Sequence, residues 1–397
     1  MNSVIKSMVL KRFRSLPADS VDFDNPTFLV GRNGSGKSNF VDAFAFLAEA
    51  MASPLQAVFD RRGGISVVRN RTSGPSYPPN LGLGVVFGPL NGDIKRGRYA
   101  FEIRALPNYG FEVVHEQCLV ETSKPDRLWF DRSKGNFNSN VSGLGPSLDP
   151  ALLALPLVGG EARFAPILKT LAALRTYRIE PGKLREMQDP DSGVTLRPDG
   201  SNAASVLQEI QRHSGKDLAR IGEILATIVP NTKKVQTTKH GNKLSLKFTQ
   251  KWGVNKRLNF EAFNMSDGTL RALGLLLAVY QRPTPSLMVV EEPEATIHPG
   301  ALGAILDVLR HASRRMQIVV TTHSPEVLDA EWIEDRHLRV VTWQEGATHV
   351  AAISDASRKA IQRHLMGAGE LLRSNALDAA PLFFEDVAQA GLFEEVA

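Results

Sequence analysis

Apolar residues along this chain fall in short dense runs, and each run ends on a different kind of polar residue. Phe28–Val30 runs into "GRNGSGKS", Leu287–Val290 into Glu291-Glu292-Pro293, and Ile318–Thr322 into His323. Unbroken apolar runs of this length read as strands buried on both faces. Between and after them the spacing turns helical: "NFVDAFAFLAEAMA" behind the glycine-rich loop, residues 161–176, 202–228 and 266–282, and "GALGAILDVLRHA". Strand and helix thus alternate, which predicts a parallel sheet covered on both faces. Residues 3–10 and 20–30 also read as strands, and residues 81–88, 98–105, 110–122 and 127–131 as an antiparallel β lobe. Residues 133–150, rich in Gly, Ser, Asn and Pro, read as an exposed loop, and residues 233–251 as a hairpin turning at His240-Gly241-Asn242. There is no internal repeat and no sustained heptad pattern.

Composition narrows this picture only modestly. The 397 residues are 43% hydrophobic and 22% charged, ordinary values for a globular chain with a sizeable core. One cysteine, Cys118, excludes an internal disulfide framework. The N-terminus lacks an apolar signal core, and the longest apolar run, residues 273–280, is far short of a membrane span. The expectation is a soluble, cytoplasmic protein. The net charge of +5 mildly favours a polyanionic partner.

The candidate chemistry sits at the ends of the apolar runs. "GRNGSGKS" matches G-x-x-x-x-G-K-[ST] through Gly31, Gly36, Lys37 and Ser38. In that pattern glycines let backbone N–H groups turn toward a phosphate, Lys37 supplies a positive charge to the β- and γ-phosphates, and the Ser38 hydroxyl holds Mg²⁺. Two adjacent carboxylates at a buried strand end repel unless a cation or a reaction needs them. Beside a phosphate loop, Glu291 would orient the water ligands of Mg²⁺ and Glu292 would polarise the attacking water. His323, at the end of another buried strand, would face the same crevice and bond the γ-phosphate. Ser266-Asp267-Gly268 opens a helix whose N–H groups can bind an anion, and it equally suits a plain capped core helix.

Taken in order, "FRS", "GRNGSGKSNFVDA", "MSDGTLR", "VVEEPEATIHP" and "TTHSPEVL" resemble the ABC-type ATPase heads of the SMC/RecF/OLD group, and within it the stand-alone AAA-family ATPases. The resemblance runs from about residue 4 to residue 375. It implies an α/β P-loop NTPase fold of ABC-ATPase type, with a mixed or parallel core sheet, flanking helices, an antiparallel β lobe and a helical lobe. It implies a composite head over residues 1–375: an N-terminal lobe (1–132), a loop-rich connection (133–160), a helical and basic-hairpin insert (161–262) and a signature, Walker B and His-loop lobe (263–355). Residues 356–397 would add C-terminal helices and an acidic tail. ATP and Mg²⁺ are the implied cofactors, held by Arg14, Gly31, Arg32, Asn33, Gly34, Ser35, Gly36, Lys37, Ser38 and Asn39, with Glu291 on the metal. Lys37, Glu292 and His323 are the implied catalytic residues. Ser266, Asp267 and Gly268 would act in trans, on ATP held by a second copy, and "PEATIHP" would lie at the dimer seam.

The departures are informative. The first Walker B acid is Glu where Asp is usual, the signature is not LSGGQ, and Gln188 is only a candidate for the Q-loop glutamine. No coiled-coil arm separates Ser38 from Ser266, and too few residues follow His323 for a TOPRIM nuclease. "NKRL" does not complete the N-K-x-D of a GTPase, and there is no His/Cys metal cluster. Residues 231–260 hold eight Lys or Arg and no acid. In the hairpin, Leu244, Leu246 and Phe248 alternate with Lys243, Ser245 and Lys247, which turns the lysines outward. Lys233, Lys234, Lys239 and Lys251 extend the tract. That suits phosphate-backbone contact with DNA, and equally a lysine-guarded edge strand. "RRGGISVVRNR" is a second basic cluster with the same two meanings. Residues 374–397 carry five acids, no Lys or Arg, and Phe383, Phe384, Leu392 and Phe393 interleaved. That composition fits a partner-docking tail or a terminal amphipathic helix on its own core. Two functions follow. One is an ATP-hydrolysing switch that forms a homodimer on ATP and serves DNA repair or anti-phage defence with an operon-encoded effector. The other is a slowly hydrolysing scaffold that holds a partner protein without DNA.

Overall fold

The motif-bearing strands are buried along almost their whole length, which is why their apolar runs do not alternate. A computed structural model describes residues 4–70, 80–90, 93–123, 127–253, 256–381 and 391–395. The chain forms two compact units: residues 1–175, 334–366 and 374–397 make the first, residues 176–333 and 367–373 the second.

In the first unit, β1 (Ile5–Phe13), β2 (Leu16–Asp22), β4 (Asn80–Phe87), β5 (Ile94–Ala105), β6 (Phe111–Thr122), β7 (Arg127–Ser133) and β8 (Asn136–Ser139) form a seven-stranded antiparallel sheet ordered β2-β1-β4-β5-β6-β7-β8. Separately, β3 (Thr27–Val30) runs parallel to β15 (Leu338–Gln344), which pairs antiparallel with β16 (Ala347–Ala352). The helix Lys37–Ala52 packs its rings onto the large sheet, with Phe46 5.6 Å from Phe13 and 6.3 Å from Phe101.

The chain passes into the second unit along β9 (Leu174–Tyr177). There β13 (Leu287–Glu291), the helix Pro299–Ala312 and β14 (Gln317–Thr322) make a β-α-β step, with the strands parallel and Glu291 level with Thr321. The strands β10 (Thr232–His240), β11 (Lys243–Trp252) and β12 (Lys256–Glu261) form an antiparallel sheet of three. Parallel and antiparallel pairing thus coexist, as expected for a mixed α/β chain.

Several expected boundaries move. Residues 20–30 are two strands, parted where Pro26 lacks a donor and Thr27 Oγ1 donates to Asp24 O. The stretch 133–150 contains β8, because Lys134 and Gly135 both take positive φ (+51° and +82°) and turn the chain back onto β7. The helix expected over 161–176 covers only Ala165–Ala172 and gives way to β9. Residues 202–228 break into two helices at Ser214, whose Oγ accepts from Asp217 N and caps the second. The hairpin turns where expected, at Gly241 with φ +60°, and gains β12 as a third strand. Among the described residues no helix is long and apolar enough to cross a membrane.

Candidate functional site

The phosphate-loop residues lie in the first unit, between β3 and the helix Lys37–Ala52. Glycine is enforced there by packing. A Cβ on Gly36, already at φ +97°, would sit 1.8 Å from Thr348 Oγ1, and one on Gly31 would sit 2.4 Å from Val341 O. Lys37 is buried, and its Nζ donates to Gly31 O at 2.7 Å and Arg32 O at 3.0 Å. The loop is braced from β16 and from the β1–β2 turn. Thr348 Oγ1 donates to Ser35 O at 3.1 Å and lies 2.7 Å from Ser15 Oγ, which accepts from Asn39 Nδ2 at 2.7 Å. Asn39 therefore holds the loop's frame. Arg32, Asn33, Gly34 and Ser38 are exposed. Arg14, at φ +48°, gives its Nε to Asp42 Oδ2 at 2.6 Å, and Asp42 also pairs with Arg62. The guanidinium of Arg14 is thus committed to the phosphate-loop helix.

These residues fit a nucleoside phosphate on two structural counts. The helix of 16 residues starts with no acid in its first turn and no side-chain cap, so its N–H groups and dipole suit an anion. Ser35 Oγ is buried with no hydrogen-bond partner among the described residues.

The second unit holds the acids, the histidine and the helix-opening serine. Glu291 ends β13 half-buried. Glu292 takes φ +45°, the left-handed region, and its N–H donates to Thr321 O at 3.0 Å. That turn sets two consecutive glutamates in different directions. His323 Nδ1 lies 3.3 Å from Glu292 Oε1 and 3.8 Å from Glu294 Oε1. Glu294 is the residue that motif reading missed. Its Oε1 accepts from Thr322 Oγ1 at 2.7 Å and His323 N at 3.3 Å, while Oε2 is buried without a partner among the described residues. Burial pushes its carboxyl above the usual range, against those hydrogen bonds. The signal was present in "EEPE": a third acid two residues past the pair.

Ser266 caps the helix Asp267–Tyr280, accepting from Thr269 N at 3.3 Å. Asp267 pairs with Arg185 at 2.5 Å. A Cβ on Gly268 would meet Thr296 O at 2.6 Å, so glycine lets "PEATIHP" pass close to the helix start. Arg271, one turn on, donates to Glu292 O at 3.4 Å, and burial lowers its pKa. Gln188 is buried and spent: its amide donates to Lys183 O and accepts from Ala204 N. Among the described residues there is no cluster of three His, Cys, Asp or Glu that could hold a metal.

The basic sheet is unevenly exposed. Lys233 and Lys234 both face solvent because the ladder shifts register between Thr232 and Lys234. Lys239 and Lys251 are exposed, and Lys251 sits directly opposite Arg257. Lys247 is half-buried, and Lys243 pairs with Asp189 at 2.7 Å. Ser245, expected to face outward with these lysines, is instead buried and donates to Glu261.

A family model described as "AAA domain, putative AbiEii toxin, Type IV TA system" matches residues 27–329. The chain belongs to that AAA-domain family. Within solved structures, this AAA-domain protein is similar to an SmcHead crystallised with the C-winged helix domain of ScpA, at 15% identity and TM-score 0.58, over 90% of this chain and 99% of that one. It is similar also to a Pyrococcus furiosus Smc head with an extended coiled coil bound to the C-terminal domain of ScpA, at 14% identity and TM-score 0.54, over 92% and 100%. The fold is therefore that of SMC-type ABC ATPase heads. A 47-residue stretch is 43% identical to the DNA replication and repair protein RecF of Francisella tularensis subsp. novicida (strain U112), covering 12% of this chain and 14% of RecF. The AAA-domain protein thus has the fold of an SMC-type ATPase head and carries a short stretch similar to RecF.

Proposed function

We propose that this AAA-domain ATPase hydrolyses ATP with Mg²⁺ and that two copies close head-to-tail over two nucleotides. The observation that carries the reading is the phosphate loop, with Lys37 buried inside a turn whose glycines are fixed by Thr348 and Val341. Lys37 would neutralise the β- and γ-phosphates, with the rest of Gly31–Asn39 and the Arg14–Asp42 pair framing the nucleotide. Ser38 and Glu291 would hold Mg²⁺, which supplies charge neutralisation on the phosphates. Glu292 would orient and deprotonate water, and His323, steadied by Glu294, would bond the γ-phosphate. Ser266–Gly268 would present helix N–H groups to ATP held by the second copy.

We further place the switch in the cytoplasm, in DNA repair or anti-phage defence, with an operon-encoded protein partner. The exposed Lys233, Lys234, Lys239 and Lys251, with Lys243 and Lys247 at the margin, support contact with a DNA backbone. Lys251 facing Arg257 is an unfavourable pairing that a polyanion would relieve. The scaffold alternative draws on the acidic tail as a partner-docking segment. Of that tail, Leu392–Glu394 packs on its own sheet, while Phe383 and Phe384 lie outside the described residues.

The test is light scattering of Glu292→Gln with and without Mg-ATP, alongside wild-type turnover. An ATP-dependent doubling of mass together with wild-type hydrolysis supports the switch. An unchanged mass with no hydrolysis overturns it. Retention on duplex DNA that falls steeply with salt supports the DNA role, and negligible retention at low salt removes it.

A further inference from the structure

The outer face of the seven-stranded sheet carries a built seat for an extended peptide, and nothing in the nucleotide chemistry uses it. On β4, Leu81, Leu83 and Val85 alternate with Gly82 and Gly84, so two glycines lie on one face of a central strand. Glycine there weakens a strand by about 0.5–1 kcal/mol relative to alanine, and a side chain from the strand itself would fill the gap more cheaply. The glycines leave a trough walled by Val9 and Ala100, and Leu392 fills it, 4% exposed. A Cβ on Gly82 would come within 2.2 Å of Leu392 Cδ1.

The next residues of the tail are read one by one. Phe393 stacks on His115, ring centroids 3.6 Å apart, with His115 held by Asp131 at 2.8 Å. Gln117, only 2% exposed, uses both ends of its amide on one backbone unit: Nε2 donates to Glu394 O at 2.8 Å, and Oε1 accepts from Glu394 N at 3.0 Å. Glu394 Oε1 meets Arg98 at 3.2 Å, where Arg96 and Arg127 line the same hollow beside Glu121. A seat for leucine, a platform for an aromatic ring, an amide that reads backbone and a cationic end together make a recognition pattern.

We propose that this face is a peptide-recognition site for an extended leucine–aromatic–acidic segment, closed in cis by Leu392–Glu394 and opened by a partner protein presenting the same chemistry. Charge favours a foreign acidic segment: the site ends in arginines, on a chain of net charge +5. The tethered tail competes at an effective concentration of about millimolar, so it holds the site shut against weak ligands and yields to a tighter one.

The test uses the full chain and a fluorescein-labelled peptide, Gly-Leu-Phe-Glu-Glu, followed by anisotropy. Leu392→Asp evicts the tail and leaves the trough open, so it should bind the peptide at least about tenfold tighter than wild type. Phe393→Ser is a second evicting variant should the first fold poorly. Gly82→Val also evicts the tail but fills the trough, and should bind no peptide. Gln117→Ala combined with Leu392→Asp should lose about tenfold, and a Gly-Leu-Phe-Gln-Gln peptide up to about fivefold. Failure of both folded evicting variants to bind overturns the proposal, as does Gly82→Val binding as well as Leu392→Asp. If mixing wild type with Leu392→Asp yields a tail-linked dimer at the peptide's own affinity, the occupant is a second copy, and the partner reading is overturned.

Discussion

The phosphate loop and the strand-end acids meet opposite demands with opposite means. The loop's conformation is dictated from outside: Thr348 and Val341 crowd Gly36 and Gly31 so closely that only glycine fits there, Ser15 ties Thr348 in place, and the loop's lysine is buried and bonded. At the acid edge, Glu292 bends at φ +45° and His323 stays 40% exposed, touching Glu292 across 3.3 Å. Rigid surroundings suit a group that must recognise a fixed anion. Half-exposed groups around one strained residue suit a step in which a proton moves. The contrast teaches that binding and turnover should come apart under mutation.

The sharpest break is between Lys37→Ala and Glu292→Gln. The first should abolish ATP binding in calorimetry, with turnover falling at least about 100-fold. The second should leave the Kd for ATP within about threefold while turnover falls about 100- to 1,000-fold. Equal effects on binding from both would erase the distinction. Next in size is Gly36→Ala, which drives a methyl into Thr348. It should weaken ATP binding at least about tenfold and cost about 1–3 kcal/mol of stability in denaturant melts. Adding Thr348→Gly should relieve the clash, which Oγ1, Cβ and Cγ2 of Thr348 all make, and leave the φ penalty.

Glu294→Gln sharpens the other side. It keeps an acceptor for Thr322 but removes the charge facing His323, so kcat should fall about tenfold with KM for ATP unchanged. A rise in KM alone would move Glu294 to the binding side. An effect on stability and not on turnover concerns Asp19 on β2, behind the loop's brace. Burial raises its carboxyl from 3.8 to about 7, with the Val350 N–H pulling it down, and burial lowers the pKa of neighbouring His349, 3.9 Å away. At His349 the folded chain therefore sheds a proton that the unfolded chain keeps, which offsets part of the slope set by Asp19, where the folded chain keeps a proton that the unfolded chain releases. That stability is fully present below about pH 4 and is lost as pH rises through about 7, roughly 3 kcal/mol of it between pH 5 and 8. Asp19→Asn should remove this slope from denaturant melts and leave ATP turnover intact.

What the sequence made legible was whatever lies close along the chain. The glycine loop, the acid pair and His323 each follow an apolar run, and local spacing is enough to find them. The brace could not be read. Ser35 and Thr348 are 313 residues apart, and a threonine in a strand carries no motif. Asn39 stands inside a motif, yet its amide turns to Ser15, a partner chosen by the fold. Glu294 was visible as a third acid, but its burial depends on Thr322 in the neighbouring strand. The tail's seat was hidden for another reason: paired glycines in a strand read as weakness until the residue that fills them is seen.

The bond from Thr348 to Ser35 has a consequence for synthesis. The phosphate loop leaves the ribosome long before the strand that braces it, with residues 176–333 of the second unit between them. A nascent chain stopped before residue 348 carries every glycine of the loop and nothing to hold them in place. Closing so long a loop is slow, because the intervening chain must be ordered before the contact can form. A braced phosphate loop thereby has to wait for synthesis to pass residue 348.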